Sequence, residues 1–319
     1  MLKSMLFSFC VLLAQGAIAA SEIKDLPREV VINGVELVLV PGGWVQHPVP
    51  NINPKTGYGR GKPFREVKVW TDTIYIGKYE ARARDFLRFM TQSSPRFASH
   101  YDAPPAYVTG SGAVDGCAVR KDASGGYYLT APLADLPVTH LSWDLANEFS
   151  AWMGFRLPTE AEWTRAFRGD DRRIYPWGDD YPDDTFAGFQ EGATECDVRP
   201  VTAFPKGRSP YGIYNMAGNV YEYVADWYNA EYYDQLRDGM RNPLATTPHV
   251  LPGEPGPVRA LRGGRWASGV GELSIYGNRD VRATDQPFRC FGARFALDEA
   301  TVRRHLEAGT AVIPPAVVP

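Results

Sequence analysis

Glycine and proline interrupt this sequence so often that most of it can form only short strands joined by turns. The chain has 31 Gly and 26 Pro, and between Tyr175 and Ala296 one or the other recurs every few residues. Its 17 Tyr, 15 Phe and 8 Trp supply large side chains for a core. This composition argues against a helical bundle, and we expect a loop-rich α+β fold with short strands.

The first twenty residues, 1–20, have the features of a secretory signal peptide. Lys3 is followed by the apolar run Met5–Leu13 and then by the small residues Ala17 and Ala19, which is the usual order of such a signal. The run is far shorter than the roughly 20 residues that span a bilayer, and no later segment is long and apolar enough to do so. We therefore predict a periplasmic protein with no transmembrane segment.

Charge and cysteine content limit the possible partners. The formal net charge is −3 and no Lys/Arg stripe is present, which argues against a nucleic-acid partner. Cys10 lies in the signal peptide, so Cys117, Cys196 and Cys290 remain. One disulfide and one free thiol are the simplest arrangement, and all three pairings stay open. Neither these cysteines nor the 5 His show metal-ligand spacing.

The length fits one large domain. About 300 residues remain after the signal peptide, which a single core can hold, and we assign the domain to residues 21–300. Residues 94–137 are rich in Pro, Gly, Ser and Asp and are expected to form a long insertion. Residues 301–319 are expected to form a tail, since TAVIPPAVVP at its end fits neither a helix nor a strand.

Local patterns predict several elements. Glu29–Val40 has two β-branched runs around Asn33-Gly34, which favours a hairpin with a type I′ turn. Glu66–Ile76 alternates like a strand. Arg82–Met90 places apolar residues at helical spacing.

Two further helices are predicted with their boundaries. Ser142–Met153 has an apolar face behind a Ser142 N-cap. Thr159–Arg168 begins with a capping box, in which Thr159 and Glu162 cap each other, and Gly169 follows it as a stop.

Three groups of motifs resemble the formylglycine-generating-enzyme, or sulfatase-modifying-factor, family. They are Arg156–Trp163 (RLPTEAEW), Gly212–Trp227 (GIYNMAGNVYEYVADW), and Leu261–Trp266 (LRGGRW) with Phe291–Phe295 (FGARF). Their order along the chain matches the family. The resemblance implies a fold related to C-type lectins, with little regular structure and two to three helices.

The central motif predicts one structural calcium ion. Asn215 and Glu222 supply hard oxygen donors, and the turn between them can direct backbone carbonyls inward, as Ca²⁺ prefers. The resemblance implies that the Asn215 and Glu222 side chains and the Gly218 and Val220 carbonyls bind the ion. The alternative is that these side chains only satisfy backbone donors in a loop-rich core.

The resemblance also implies that the catalytic cysteines are missing. Family enzymes that make formylglycine bind copper(I) through two cysteines after the RGG signature. Here Ser268 and Leu273 occupy those two positions, and Arg265 replaces a small residue. Because copper(I) prefers sulfur ligands, we expect no formylglycine-generating activity.

The residues around that position favour binding. Arginine and aromatic side chains are typical of recognition surfaces. The ligand candidates are Arg265, Trp266, Arg279 and Trp227. Arg262 and Arg294 are expected instead to hold loops to acidic partners.

We therefore expect a non-catalytic binding or regulatory protein that contacts a periplasmic or membrane-anchored protein or peptide. It resembles TagR-type periplasmic proteins of type VI secretion, which act upstream of a kinase. The alternative is an oxidative tailoring enzyme of the pyoverdine-maturation type.

Overall fold

The computed structural model describes residues 26–51, 65–101, 118–129, 133–193, 197–277, 279–285 and 287–315, with only the backbone of 279–282. The predicted signal peptide, Cys117, Cys196 and much of the 94–137 segment lie outside the described residues. The expectations for these segments therefore stay predictions.

The strands of the described residues form two four-stranded sheets and two hairpin-like pairs. They are β1 (Glu29–Ile32), β2 (Val35–Val40), β3 (Gly43–Val49), β4 (Arg65–Thr71), β5 (Ile74–Gly77), β6 (Val119–Lys121), β7 (Tyr127–Leu129), β8 (Tyr221–Trp227), β9 (Val258–Arg262), β10 (Arg279–Ala283), β11 (Phe291–Ala293) and β12 (Ala296–Asp298).

The first sheet has the order β1-β2-β5-β12 and joins both ends of the domain. Its β1–β2 hairpin confirms the predicted turn, since Asn33 and Gly34 both have positive φ, 52° and 84°, as a type I′ turn requires. The predicted strand over 66–76 is divided between β4 and β5, which belong to different sheets.

The second sheet has the order β10-β9-β8-β11 and carries the candidate site. β8 runs antiparallel to β9 and parallel to β11. Alternate side chains of β8 enter two different cores, because Tyr223 packs into one cluster and Val224 into the other. Both cores therefore depend on the position of this strand.

The helices confirm the predicted caps. Those described are α1 (Ala83–Gln92), α2 (Trp143–Trp152), α3 (Glu160–Arg168), α4 (Ala230–Gln235), α5 (Val270–Leu273) and α6 (Glu299–Glu307). Ser142 caps α2, and the Thr159–Glu162 capping box begins α3. The prediction of two to three helices was too low. Helices α4 and α5 are too short to show a helical period, and most of α6 lies in the segment that was predicted to be a tail. No helix among the described residues is long and apolar enough to cross a membrane.

Two peripheral segments pack more closely than expected. Residues 301–319 were expected to be a tail, but α6 buries Val302 completely. Val312 then pairs with Val31 through two backbone hydrogen bonds of 2.7 and 2.9 Å, so the expectation of a loose end is wrong there. The described part of segment 94–137, which was predicted to be an insertion, also contributes to the core. Val119 is 1% exposed and accepts a hydrogen bond from the Tyr101 hydroxyl at 2.8 Å.

Candidate functional site

The loop before β8 has a backbone that few residues could adopt. Asn215, Gly218 and Asn219 have φ of 54°, 82° and 62°, in a region that Asn and Gly tolerate best. A Cβ on Gly218 would lie 2.5 Å from the carbonyl oxygen of Gly188. The N–H of Gly218 donates to the Gly263 carbonyl at 2.8 Å, so the loop is fixed against the RGG segment.

Glu222, at the start of β8, is the acceptor of a saturated buried ion pair. The Arg294 guanidinium donates to both of its oxygens, through Nη2 at 2.5 Å and Nε at 3.0 and 2.9 Å. The Trp163 indole N–H donates to Oε2 at 2.7 Å. Arg294 also donates to the carbonyls of Gly77 and Tyr214. This pair ties α3, β5, β8 and β11 together, as the loop-holding interpretation of Arg294 expected.

A second buried carboxylate, Glu80, lies beside this pair, and the sequence reasoning missed it. It accepts hydrogen bonds from the side-chain amides of Asn215 and Asn219, both at 2.9 Å. Burial raises the pKa of Glu80 to about 8, Arg294 opposes the shift and Glu222 adds to it. Glu80 lies just after β5, 135 positions before Asn215 in the chain. No local sequence pattern could therefore have connected the two residues.

The donors around Asn215 fit a calcium ion in kind. Its Oδ1 is buried and has no partner among the described residues, while Glu80 and Glu222 provide carboxylate oxygens, the ligand type that Ca²⁺ takes. The groups that would hold the ion are Asn215, Glu222 and the carbonyls of Gly218 and Val220, with Glu80 next to them. Both oxygens of Glu222 already accept hydrogen bonds from Arg294 or Trp163, so Glu222 can bind an ion only if one of these donors moves away. The calcium site stays a prediction.

We expect the purified protein to contain about one calcium ion, and chelation with EGTA to lower its melting temperature, because an ion that binds only the folded state stabilises it by mass action. Asn215→Leu removes the unpaired buried oxygen and should abolish both the bound ion and the effect of EGTA. Elemental analysis and thermal melts measure the two quantities. A calcium-free protein whose melting temperature ignores EGTA would exclude the site.

Ser268 and Leu273, the positions of the missing cysteine pair, come together beneath Gly264. An ideal Cβ on Gly264 would lie 3.3 Å from Ser268 Oγ and 3.4 Å from Leu273 Cδ2. Ser268 is fully buried, and its hydroxyl accepts from the Arg265 N–H at 3.0 Å. Leu273 is fully buried in the second core. The two positions are adjacent, but one closes a turn and the other fills a core.

The guanidinium of Arg265 turns back toward a buried thiol. Its Nη1 lies 3.2 Å from Cys290 Sγ, and Cys290 is buried and forms no disulfide with any described residue. Burial raises the pKa of this thiol, while Arg265, Arg289 and the Trp266 N–H oppose the shift. Trp266 is only 1% exposed, so a ligand could touch it only after the site rearranged.

Trp227 lies at the other end of the second sheet. The residue of β9 opposite it is Arg259, whereas Arg262 lies opposite Glu222, which places Trp227 about 16 Å along the strand from Glu222. Trp227 stacks on the guanidinium of Arg259, whose other face meets Trp143. The side chain of Arg279 lies outside the described part of the chain. The four predicted ligand residues therefore do not form one described surface.

Two buried acids link α3 to β8. Asp226 accepts from the N–H groups of Glu160 at 2.7 Å and Ala245 at 2.9 Å. Burial, and then the neighbouring charge of Glu160, raise the pKa of Asp226 to about 7. Glu160 is in turn bound by the Tyr233 hydroxyl at 2.9 Å and lies 3.7 Å from Arg262, the acidic partner expected for that arginine.

This pKa shift gives a pH dependence of stability with a definite sign. Between about pH 4, the ordinary value for aspartate, and about pH 7, the folded protein holds a proton that the unfolded chain has lost. The free energy of unfolding should therefore fall as the pH rises through this range. Thermal melts should show that the difference in stability between the wild type and Asp226→Asn changes with pH, with the wild type losing stability relative to the variant from pH 4 to 8. A constant difference would contradict the shift.

Comparisons with known proteins agree with this architecture. Residues 22–298 match the family model described as "Sulfatase-modifying factor enzyme 1-like domain". The formylglycine-generating enzyme of Thermomonospora curvata is 30% identical over 268 residues, covering 72% of this chain and 85% of that enzyme. The serine/threonine-protein kinase pkn1 of Chlamydia caviae is 37% identical over 146 residues, which cover 46% of this chain and only 21% of the kinase.

A solved structure supports the fold. PvdO from Pseudomonas aeruginosa superimposes with a TM-score of 0.56 at 20% identity, covering 86% of this chain and 99% of PvdO. At that identity the likeness concerns the fold alone. The predicted sulfatase-modifying-factor fold is confirmed.

Proposed function

This chain belongs to the sulfatase-modifying factor family, and from that premise we propose that it is a non-catalytic recognition protein of the periplasm. Its role is to bind a peptide or a protein partner on a rigid, loop-rich surface. The oxidation of a cysteine to formylglycine is not part of this role.

The proposal is carried by the chemistry at the two positions where the resemblance implies copper thiolates. The Ser268 hydroxyl is already engaged with the Arg265 N–H, and Leu273 offers only hydrocarbon. Neither is the soft ligand that copper(I) prefers. Cys290, close to Arg265, is a buried thiol whose pKa is raised, and thiols of this kind are inert rather than reactive.

A regulatory role is supported by the similarity of this chain to part of a protein kinase. Part of a chlamydial chain named as a serine/threonine-protein kinase is 37% identical to this one. We propose, as the narrower hypothesis, a regulator of type VI secretion that acts upstream of a kinase. The competing hypothesis of an oxidative tailoring enzyme requires measurable consumption of oxygen.

A peptide assay tests the proposal. Incubated with copper and a peptide that contains Cys-x-Pro-x-Arg, the protein should form no aldehyde, as measured by mass spectrometry. Oxygen uptake should not exceed that of the buffer. An active formylglycine-generating enzyme in the same mixture is the positive control. Aldehyde formation or sustained oxygen uptake by the wild-type protein would overturn the non-catalytic assignment.

A further inference from the structure

A cavity of about 590 Å³ opens on the surface near the start of the domain, and positive side chains line it. We call it the basic groove. Its side-chain walls are formed by Arg28, Phe186, Pro205, Lys206, Arg208 and Pro210. Arg28, Lys206 and Arg208 are all exposed. No acidic residue lines the groove among the described residues.

The charges of the groove are free to attract a ligand. Arg28, Lys206 and Arg208 have no carboxylate oxygen of a described residue within 4.0 Å. An exposed acid, Asp183, is close enough to be affected by Lys206: its pKa is lowered mainly by hydrogen bonds from Thr185 and to a smaller extent by the charge of Lys206. The described lining of the groove carries charges of one sign only, and such charges in a concave surface strengthen the local field and attract ligands of the opposite sign.

Arg208 is held in position by its own surroundings. Its Nε donates to the Pro205 carbonyl at 2.7 Å, and its guanidinium lies over the ring of Tyr214, 5.5 Å from the centroid. The two terminal nitrogens have no partner among the described residues. They form the planar fork that binds carboxylates through two parallel hydrogen bonds.

The floor of the groove is rigid. A Cβ on Gly207 would lie 1.7 Å from the carbonyl oxygen of Phe186, so the two segments are in direct backbone contact. Phe204, just before the turn at Pro205–Gly207, has a φ of 59°, a conformation that aromatic residues adopt only where the structure enforces it. A site organised before binding loses less entropy when it binds.

The local backbone determines the class of ligand. The hydroxyl of Ser209 accepts from the N–H groups of Tyr211 and Ile213, and the N–H of Gly212 donates to the Ser209 carbonyl. The N–H of Gly207 donates to the Phe204 carbonyl. Phosphate sites usually direct several free backbone N–H groups at one anion. In this groove the backbone N–H groups named above are already engaged, and the positive charges are side chains spread along its length. This arrangement favours an extended ligand with several carboxylates over a single phosphate group.

We propose that the basic groove binds an acidic peptide segment of a partner protein, whose carboxylates pair with Arg208, Lys206 and Arg28 while its aliphatic groups pack on Phe186 and the prolines. This gives the recognition role proposed above a specific surface and therefore rests on it. Arg265 and the RGG segment are not part of this surface.

Fluorescence anisotropy tests the proposal with a fluorescein-labelled ten-residue peptide of alternating Glu, Asp and Leu. The full-length protein should bind it, and added salt should weaken binding because exposed charges are screened. Arg208→Glu and Lys206→Glu should each weaken binding at least about tenfold. The control Arg237→Glu makes the same charge change on an exposed residue outside the groove and should bind like wild type. Unchanged melting temperatures show that the variants fold.

Three outcomes would overturn the proposal. The first is that the acidic peptide does not bind, and the second is that Arg237→Glu weakens its binding as much as the two groove variants do. The third is that inorganic pyrophosphate, added at the peptide concentration that saturates the groove, displaces the peptide. The last result would assign the groove to phosphate groups. If the protein neither binds the peptide nor forms aldehyde, only the proposed role of the basic groove is disproved. Aldehyde formation disproves the proposed function, whatever the peptide does.

Discussion

Replacing Arg294 with methionine should lower the free energy of unfolding by about 3–5 kcal/mol, since removal of one partner leaves the other charge buried and unpaired. Glu222 is completely inaccessible to solvent and would keep only the Trp163 hydrogen bond. Glu80 would also lose a favourable charge, because Arg294 opposes the rise of its pKa. Denaturant titration, or the loss of soluble protein if the effect exceeds the total stability, measures the change.

A surface pair of the same composition provides the control. Arg303 and Glu299 form an ion pair at 2.8 Å with side chains 33% and 25% exposed. Pairs of this kind contribute about 0–1 kcal/mol, so Arg303→Met should change stability little. If the two variants lost similar amounts of stability, burial would not be what gives the Arg294 pair its importance.

Gly207→Ala should destabilise the protein by more than ~3 kcal/mol, beyond the usual range for overpacking, because the new methyl group would meet a backbone atom that cannot turn aside. That atom, the Phe186 carbonyl oxygen, would lie only 1.7 Å away. The substitution should also disturb the basic groove. Denaturant titration gives the stability, and the anisotropy assay gives binding in any fraction that folds.

Gly256→Ala is the matched substitution at an open position, where nothing lies within 4 Å of the added Cβ. It should change the free energy of unfolding by less than about 1 kcal/mol. A Gly207→Ala variant as stable as Gly256→Ala would show that the segment at 205–207 can move away from Phe186. The rigidity argued for the groove would then be wrong.

Sequence patterns predicted the elements whose determinants are local. The Asn33-Gly34 turn and the Thr159 capping box each depend on residues within a few positions of one another, and both were confirmed. Helix α6 was missed although its sequence carried a signal, since Val302 and Leu306 lie four positions apart behind Asp298.

The site was only partly predictable, for a physical reason. The sequence identified Asn215 and Glu222 because they lie within one motif. It could not reveal Glu80, since the connection crosses 135 positions and is made only by tertiary packing. The basic groove escaped for the same reason: Arg28 and Lys206 belong to distant segments, and a sequence without a basic stripe gives no sign that folding brings them together.

The pairing of Glu222 with Arg294 also sets an order for folding. Arg294 reaches back to the Gly77 carbonyl, 217 positions earlier in the chain, and β12 completes the first sheet directly after it. A chain still emerging from a ribosome contains the two buried carboxylates, Glu80 and Glu222, long before Arg294, which supplies their counter-charge. Closing contacts over such separations is slow. The domain should therefore complete its fold only after almost its entire length has emerged, and until then Glu80 and Glu222 have no guanidinium to pair with.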